Sequence, residues 1–159
     1  MSRPIYETEA DRHNQMTVAD TMAKILGKRL IKTRNLSAAD YVVEDQSGTA
    51  TGLMEIKVRR YTAEELDAMG GFFLSERKLI LVYKTVRLLK MDFHLVVKTP
   101  NCLLHLEFWN GIPWPILERK FGGRFDRGDQ KDAETLCLFP TTMFTRIDDD
   151  PAPVSTGSP

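Results

Sequence analysis

The sequence predicts an α/β chain: a mixed central β-sheet flanked by helices. Three observations carry this. A long segment of helical periodicity opens the chain, a run of alternating apolar and polar residues marks a half-buried hairpin, and a second helical segment leads into further strand patterns. Helices interleaved with strands give a sheet with helices packed on it.

The first helix is expected at about residues 7–27. Pro4 precedes it and Gly27 offers a C-terminal stop. Met16, Ala19, Ala23 and Leu26 follow helical spacing, with Met22 and Ile25 alongside, and Glu9 falls on the same stripe two turns before Met16. Residues 28–34 form a short strand or link. Asp40-Tyr-Val-Val-Glu then leads through Asp45-Gln-Ser-Gly-Thr into Leu53-Met-Glu-Ile-Lys-Val-Arg, a hairpin signal with Ser47-Gly48 as its turn. Thr62 is an N-cap candidate for TAEELDAM, with Glu65 three residues on. Gly70-Gly71 interrupts before a helix at about 74–90, striped by Leu79, Val82, Val86 and Leu89. Phe93–Lys98 and Leu103–Trp109 read as a hairpin. Gly111-Ile-Pro-Trp-Pro forbids regular structure, and a last strand falls within Leu136–Phe139 or Met143–Ile147.

The bulk numbers fit one soluble domain. The chain has 159 residues, 42% hydrophobic and 28% charged, enough to bury one core. No apolar run approaches the roughly 18 residues of a membrane helix. The polar start MSRPIYETEADRHNQ shows no secretory signal, so the cytoplasm is the expected compartment, that of a bacterial host if the chain is phage-encoded. Cys102 and Cys137 are expected to be reduced core residues. Residues 1–147 are expected to form the domain, and residues 148–159, acidic then rich in Pro, Ser and Gly, a disordered tail. The 22 basic and 22 acidic residues cancel, yet residues 56–98 carry nine Lys/Arg against five Asp/Glu. That local excess suits a polyanion, or a solvated helix face.

The hairpin supplies the chemistry. With Ser47-Gly48 as the turn, paired residue numbers sum to 95, which sets Asp40 opposite Glu55. Side chains alternate along a strand, so Asp40, Glu55 and Lys57 share one face. Tyr41, Val43, Met54, Ile56 and Val58 form the other, apolar face. Two opposed carboxylates repel and call for a cation. A hard divalent ion such as Mg²⁺ suits their oxygens, and a lysine beside it could serve an attacking water. Alternating Glu and Lys can equally keep a strand edge soluble.

The order of these pieces resembles the PD-(D/E)XK nuclease superfamily. Thr8-Glu9-Ala10-Asp11-Arg12 stands where that family has a helix carboxylate, Asp40-Tyr41-Val42-Val43 where it has the strand that starts with Asp, and Met54-Glu55-Ile56-Lys57 where it has Glu-x-Lys. The resemblance spans residues 7–98, and it extends to small nucleases of phages and prophages. It implies a restriction-endonuclease-like core and Mg²⁺-dependent hydrolysis of DNA phosphodiesters, with Mn²⁺ substituting. Branched or flapped DNA are candidate substrates, and a homodimer is compatible with the small size. By position it makes Asp40, Glu55, the Ile56 carbonyl and Glu9 metal ligands, with Glu7 the rival of Glu9, and sets Lys57 beside the water. Lys78 would approach the scissile phosphate, and Arg59 and Arg60 would touch neighbouring phosphates. Ala39 replaces the motif proline. The alternatives are a DNA-binding or inhibitor protein without turnover, or a cleavage subunit directed by a partner.

The remaining motifs have structural explanations. His94 and His105 sit in a strand hairpin with no partner at metal-ligand spacing, and His13 is polar surface or a neighbour of the site. Trp109 and Trp114 pack, and Phe121-Gly-Gly-Arg-Phe-Asp-Arg-Gly reads as a flexible loop whose Arg124 and Arg127 could grip a phosphate backbone.

Overall fold

A computed structural model describes residues 9–34, 38–108, 117–123 and 133–148. The expectations for Glu7, Trp109, Trp114, Arg124, Arg127 and the tail beyond Asp148 lie outside these residues. Among them, helix α1 covers Glu9–Leu26, strand β1 Arg29–Lys32, β2 Tyr41–Glu44 and β3 Ala50–Val58. Helix α2 follows at Ala63–Ala68, β4 at Phe72–Ser75 and α3 at Glu76–Leu89. Strands β5 (Asp92–Lys98), β6 (Cys102–Phe108), β7 (Glu118–Gly123), β8 (Ala133–Phe139) and β9 (Thr145–Asp148) complete the set.

Six strands form a mixed sheet in the order β1-β2-β3-β5-β6-β9. β3 and β5 run parallel, and the other neighbours are antiparallel. A parallel pair needs a crossover, and the segment containing α2, β4 and α3 supplies it.

The β2–β3 hairpin keeps the expected register by a different route. Tyr41 faces Met54 and Val43 faces Gly52, pairs that sum to 95. The turn, however, is not the two residues Ser47-Gly48. The Asp45 carboxylate accepts the amides of Ser47 (2.9 Å) and Thr49 (3.0 Å) and the Ser47 hydroxyl (2.6 Å). That Asx arrangement closes a longer loop on an Asp45–Thr49 backbone bond, with Gly48 at φ 85°. Glu44 therefore pairs with Ala50, and a bulge between that pair and Val43–Gly52 restores the register.

Both faces of the sheet are covered. On one face Val18, Ala19 and Met22 of α1 pack on Tyr41, Val43, Met54, Ile56 and Val96. On the other, Val82 and Val86 of α3 pack on Leu53, Phe93, Leu95 and Val97. Of the expected stripe, Ala19 and Met22 are buried and Ala23 and Leu26 partly so, and Val18 joins them, while Met16 is 60% exposed and Ile25 47%.

A second sheet, β4-β8-β7, adds Phe72, Leu74, Cys137 and Phe139 to the α3-side core. It corrects two expectations. Residues 74–75 are strand, and α3 begins at Glu76 with the Ser75 hydroxyl accepting the Lys78 amide. Phe121, Gly122 and Gly123 belong to β7, which pairs with β8. Asp148 closes β9 opposite Cys102 rather than opening the tail. Thr62 caps α2 as expected, accepting the Glu65 amide at 3.1 Å. Both cysteines are free and buried.

Candidate active site

Strand alternation points Glu55 into the α3 side of the sheet, away from α1. Its side chain is 2% exposed, so an isolated charge there would be strongly disfavoured. Two lysines compensate. Lys57 Nζ, two residues along the same strand face, lies 2.9 Å from Glu55 Oε1, and Lys78 Nζ, from the first turn of α3, lies 3.2 Å from Oε2. A lysine in a helix's first turn opposes the helix dipole. Here the buried carboxylate offsets that cost. Glu55 Oε2 nevertheless makes no hydrogen bond; its contact with Lys78 is an ion pair without hydrogen-bond geometry.

Asp40 lies just before β2, where its amide donates to the Met54 carbonyl. Continuing the register puts it across from Glu55. One carboxylate oxygen, Oδ2, accepts the Ile56 amide at 2.8 Å. Burial raises the Asp40 pKa above the ordinary carboxylate value, and the Glu55 charge raises it further. The Ile56 hydrogen bond, Lys57 and Lys32 act in the opposite direction. Asp40 and Glu55 thus share a field in which a cation would relieve repulsion.

The Ile56 amide meets Asp40, and a strand residue's amide and carbonyl point to the same edge. The Ile56 carbonyl therefore faces the Asp40 edge too. Two carboxylates, one with a buried oxygen that makes no hydrogen bond, and a backbone carbonyl make a hard, all-oxygen donor set, which fits a divalent cation of the Mg²⁺ class.

The structure gathers Asp40, Glu55, Ile56, Lys57 and Lys78. Arg59 and Arg60 follow at the end of β3, where Arg59 lies 5.0 Å over the Phe72 ring and Arg60 5.5 Å over Tyr61.

Glu9 is placed differently. It is exposed at the first turn of α1, on the line of Met16 rather than that of Val18 and Met22. The stripe that favours Glu9 over Glu7 runs through Met16 and Ala23, of which Met16 is exposed and Ala23 half-buried. Among the described residues, Glu9, Asp40 and Glu55 do not gather their carboxylate oxygens within 4.8 Å of one another.

His13 is exposed on α1 and lines a surface cavity of about 410 Å³ with Arg59, Lys98 and Thr99. His94 and His105, expected to lack a ligand-spaced partner, instead meet each other at 3.0 Å, with Glu107 adjacent. Sequence spacing could not show this, because the three come together only through the β5–β6 register.

Comparisons with curated proteins and with solved structures give no match to this chain. A family model does match, over residues 1–147, and it spans every element described above except the last residue of β9. The mixed six-stranded sheet, the second sheet and the flanking helices are the restriction-endonuclease-like arrangement that the match implies. The chain belongs to the family described as "Phage putative PDDEXK endonuclease".

Proposed function

We propose that this chain is a Mg²⁺-dependent endonuclease that hydrolyses DNA phosphodiesters, with residues 1–147 as the nuclease unit and Mn²⁺ able to substitute. The observation that carries the reading is Glu55: a buried carboxylate facing Asp40 and held by two lysine ammonium groups. A structural ion pair needs one lysine. Two lysines and a second carboxylate on one sheet face are the charges a phosphodiester and a metal ion would meet.

Asp40, Glu55 and the Ile56 carbonyl would hold the ion. When bound, it supplies charge neutralisation at phosphate oxygens and acidifies a water molecule. Lys57, 34% exposed at its side chain, reaches the site from the solvent side. Its ammonium group orients the attacking water, whose proton passes to solvent as the new O–P bond forms and the P–O bond to the leaving sugar oxygen breaks, that oxygen taking a proton from solvent. Lys78 stabilises the negative charge that develops on the non-bridging oxygens. Arg59 and Arg60 grip phosphates on either side of the scissile one, fixing the strand without reading bases.

The test is cleavage of supercoiled plasmid and of branched and flapped DNA with Mg²⁺, Mn²⁺ or EDTA, for wild type and Lys57→Ala. Cleavage should stop in EDTA, and the variant should lose roughly 10²–10³-fold in rate, the usual worth of one positioned donor at the reacting centre. Equal rates would sink the role of Lys57. Tight DNA binding with no cleavage under any condition would instead identify a binding protein.

A further inference from the structure

The reverse face of the sheet holds a second polar cluster. Residue alternation places His94 with Val96 on the α1 side, away from Glu55. His94 stands opposite Glu107 in the β5–β6 register, and His105 opposite Val96, so His94, His105 and Glu107 share one face. His94 Nδ1 and His105 Nε2 are 3.0 Å apart, and the rings stack with centroids 5.2 Å apart and planes 6° from parallel. Glu107 Oε1 lies 3.9 Å from His94 Nε2. One nitrogen of each imidazole and one Glu107 oxygen lie within 4.8 Å of one another.

We propose that His94, His105 and Glu107 form a binding site for a borderline transition-metal ion of the Zn²⁺ class, separate from the nuclease site. Two imidazoles and a carboxylate are a donor set such an ion takes, with water in the fourth position. Two nitrogens on a tetrahedral ion at 2.0–2.1 Å stand about 3.3 Å apart, close to the spacing already present. The nitrogens now share a proton. On metal binding, the donor imidazole moves its proton to its other ring nitrogen, and both facing nitrogens become lone-pair donors.

The surroundings support the assignment. All three residues sit on paired strands, which fixes their positions. Gly52 of the adjacent β3 leaves room, since a Cβ there would stand 3.4 Å from His94 Cδ2 and Nε2. Burial shifts both imidazoles toward the neutral, ligating form. His94's side chain is 7% exposed and Glu107's 30%, so an ion can enter from the Glu107 side. Lys28 acts electrostatically against a cation. Glu107 opposes that charge, and Asp92 lies on the same strand face two residues before His94.

The experiment titrates EDTA-stripped, dialysed protein with Zn²⁺ against a chromophoric chelator, and with Co²⁺ to read its visible bands. The proteins are wild type, His105→Gln, Glu107→Gln and Asp40→Asn. We expect one Zn²⁺ per chain at sub-micromolar affinity, with intense Co²⁺ bands of low coordination number. His105→Gln should weaken it at least 100-fold and Glu107→Gln about 10-fold, while Asp40→Asn leaves it intact. Glu107→Gln alters a partly exposed residue, so it keeps the test valid if His105→Gln fails to fold. No Zn²⁺ affinity tighter than about 100 µM, or affinity lost in Asp40→Asn and kept in the His105 and Glu107 variants, overturns the proposal. Either result leaves a hydrogen-bonded histidine pair.

Discussion

Lys78→Met tests whether Glu55 is a charge held by two cations. Lys78 Nζ stands 3.2 Å from Glu55 Oε2, and the carboxylate is 2% exposed. At an effective dielectric constant of about 20, two unit charges at that distance attract by about 5 kcal/mol. Lys78 keeps 24% of its side-chain surface in water, and Lys57 at 2.9 Å would still neutralise the carboxylate. Removing one partner of a buried pair costs about 3–5 kcal/mol when nothing else compensates. With Lys57 in place, about 2–3 kcal/mol is expected, a fall in Tm of roughly 5–10 °C for a chain of this size. The assay is thermal and urea unfolding in EDTA, which removes any metal contribution. Adding Glu55→Gln should abolish part of the penalty, with a coupling of about 1–2 kcal/mol in the double-mutant cycle. A Lys78→Met protein within about 0.5 kcal/mol of wild type, with no coupling, would refute the charge-pairing account.

Three further outcomes follow from the same physics. Asp40→Asn should abolish cleavage yet raise the stability of the metal-free protein, because it removes a buried carboxylate whose pKa burial and Glu55 raise; unfolding and cleavage assays on one preparation check both. His94 is pushed down to about 4 from its ordinary 6.5 by burial first and by the His105 charge second. Its folded pKa lies below its unfolded one, so its contribution is complete above pH 6.5 and is lost as pH falls from 6.5 to about 4. In EDTA the loss should reach roughly 3 kcal/mol, and His94→Gln should flatten that window in a pH series of unfolding curves. Gly71→Ala should destabilise by more than about 2 kcal/mol, read by urea melts, because φ is 124° and the added Cβ would meet the Phe139 carbonyl oxygen too closely for any side chain.

Local chemistry made some of the fold legible and topology hid the rest. β2 and β3 announced themselves through β-branched residues and alternation, and the Thr62 cap through its own side chain. The turn was misread because the Asp45 carboxylate organises a longer loop than the Ser47-Gly48 pair suggests, yet the bulge next to it returned the register to the same value. Nothing local marks Phe72–Ser75 as a strand. Its partner β8 lies some sixty residues away, and its apolar run reads equally well as the start of the helix that follows. β7 is polar and ends in Gly-Gly, so its strand character comes from pairing with β8.

The site divides along the same line. Asp40, Glu55 and Lys57 were readable because one hairpin with one register brings them together, and a period of two leaves no choice of face. Lys78 lies on a different element, and spacing alone gives no contact; it needed the family order, and the structure then set its amine on Glu55. Glu9 is the carried-over position for which spacing gives the least. Ala19, Met22 and Leu26 of the sequence-read stripe face the core, but Met16 and Ile25 put apolar side chains on an exposed side of α1, and packing against Tyr41, Val43 and Met54 takes Val18 in their place. A helix carboxylate must be assigned from the face that packing selects, one rotation away from the line of Glu9. A metal titration of Glu9→Gln alongside Asp40→Asn decides the matter: if Glu9 has no part in holding the ion, its variant keeps wild-type Mg²⁺ dependence of cleavage while Asp40→Asn does not.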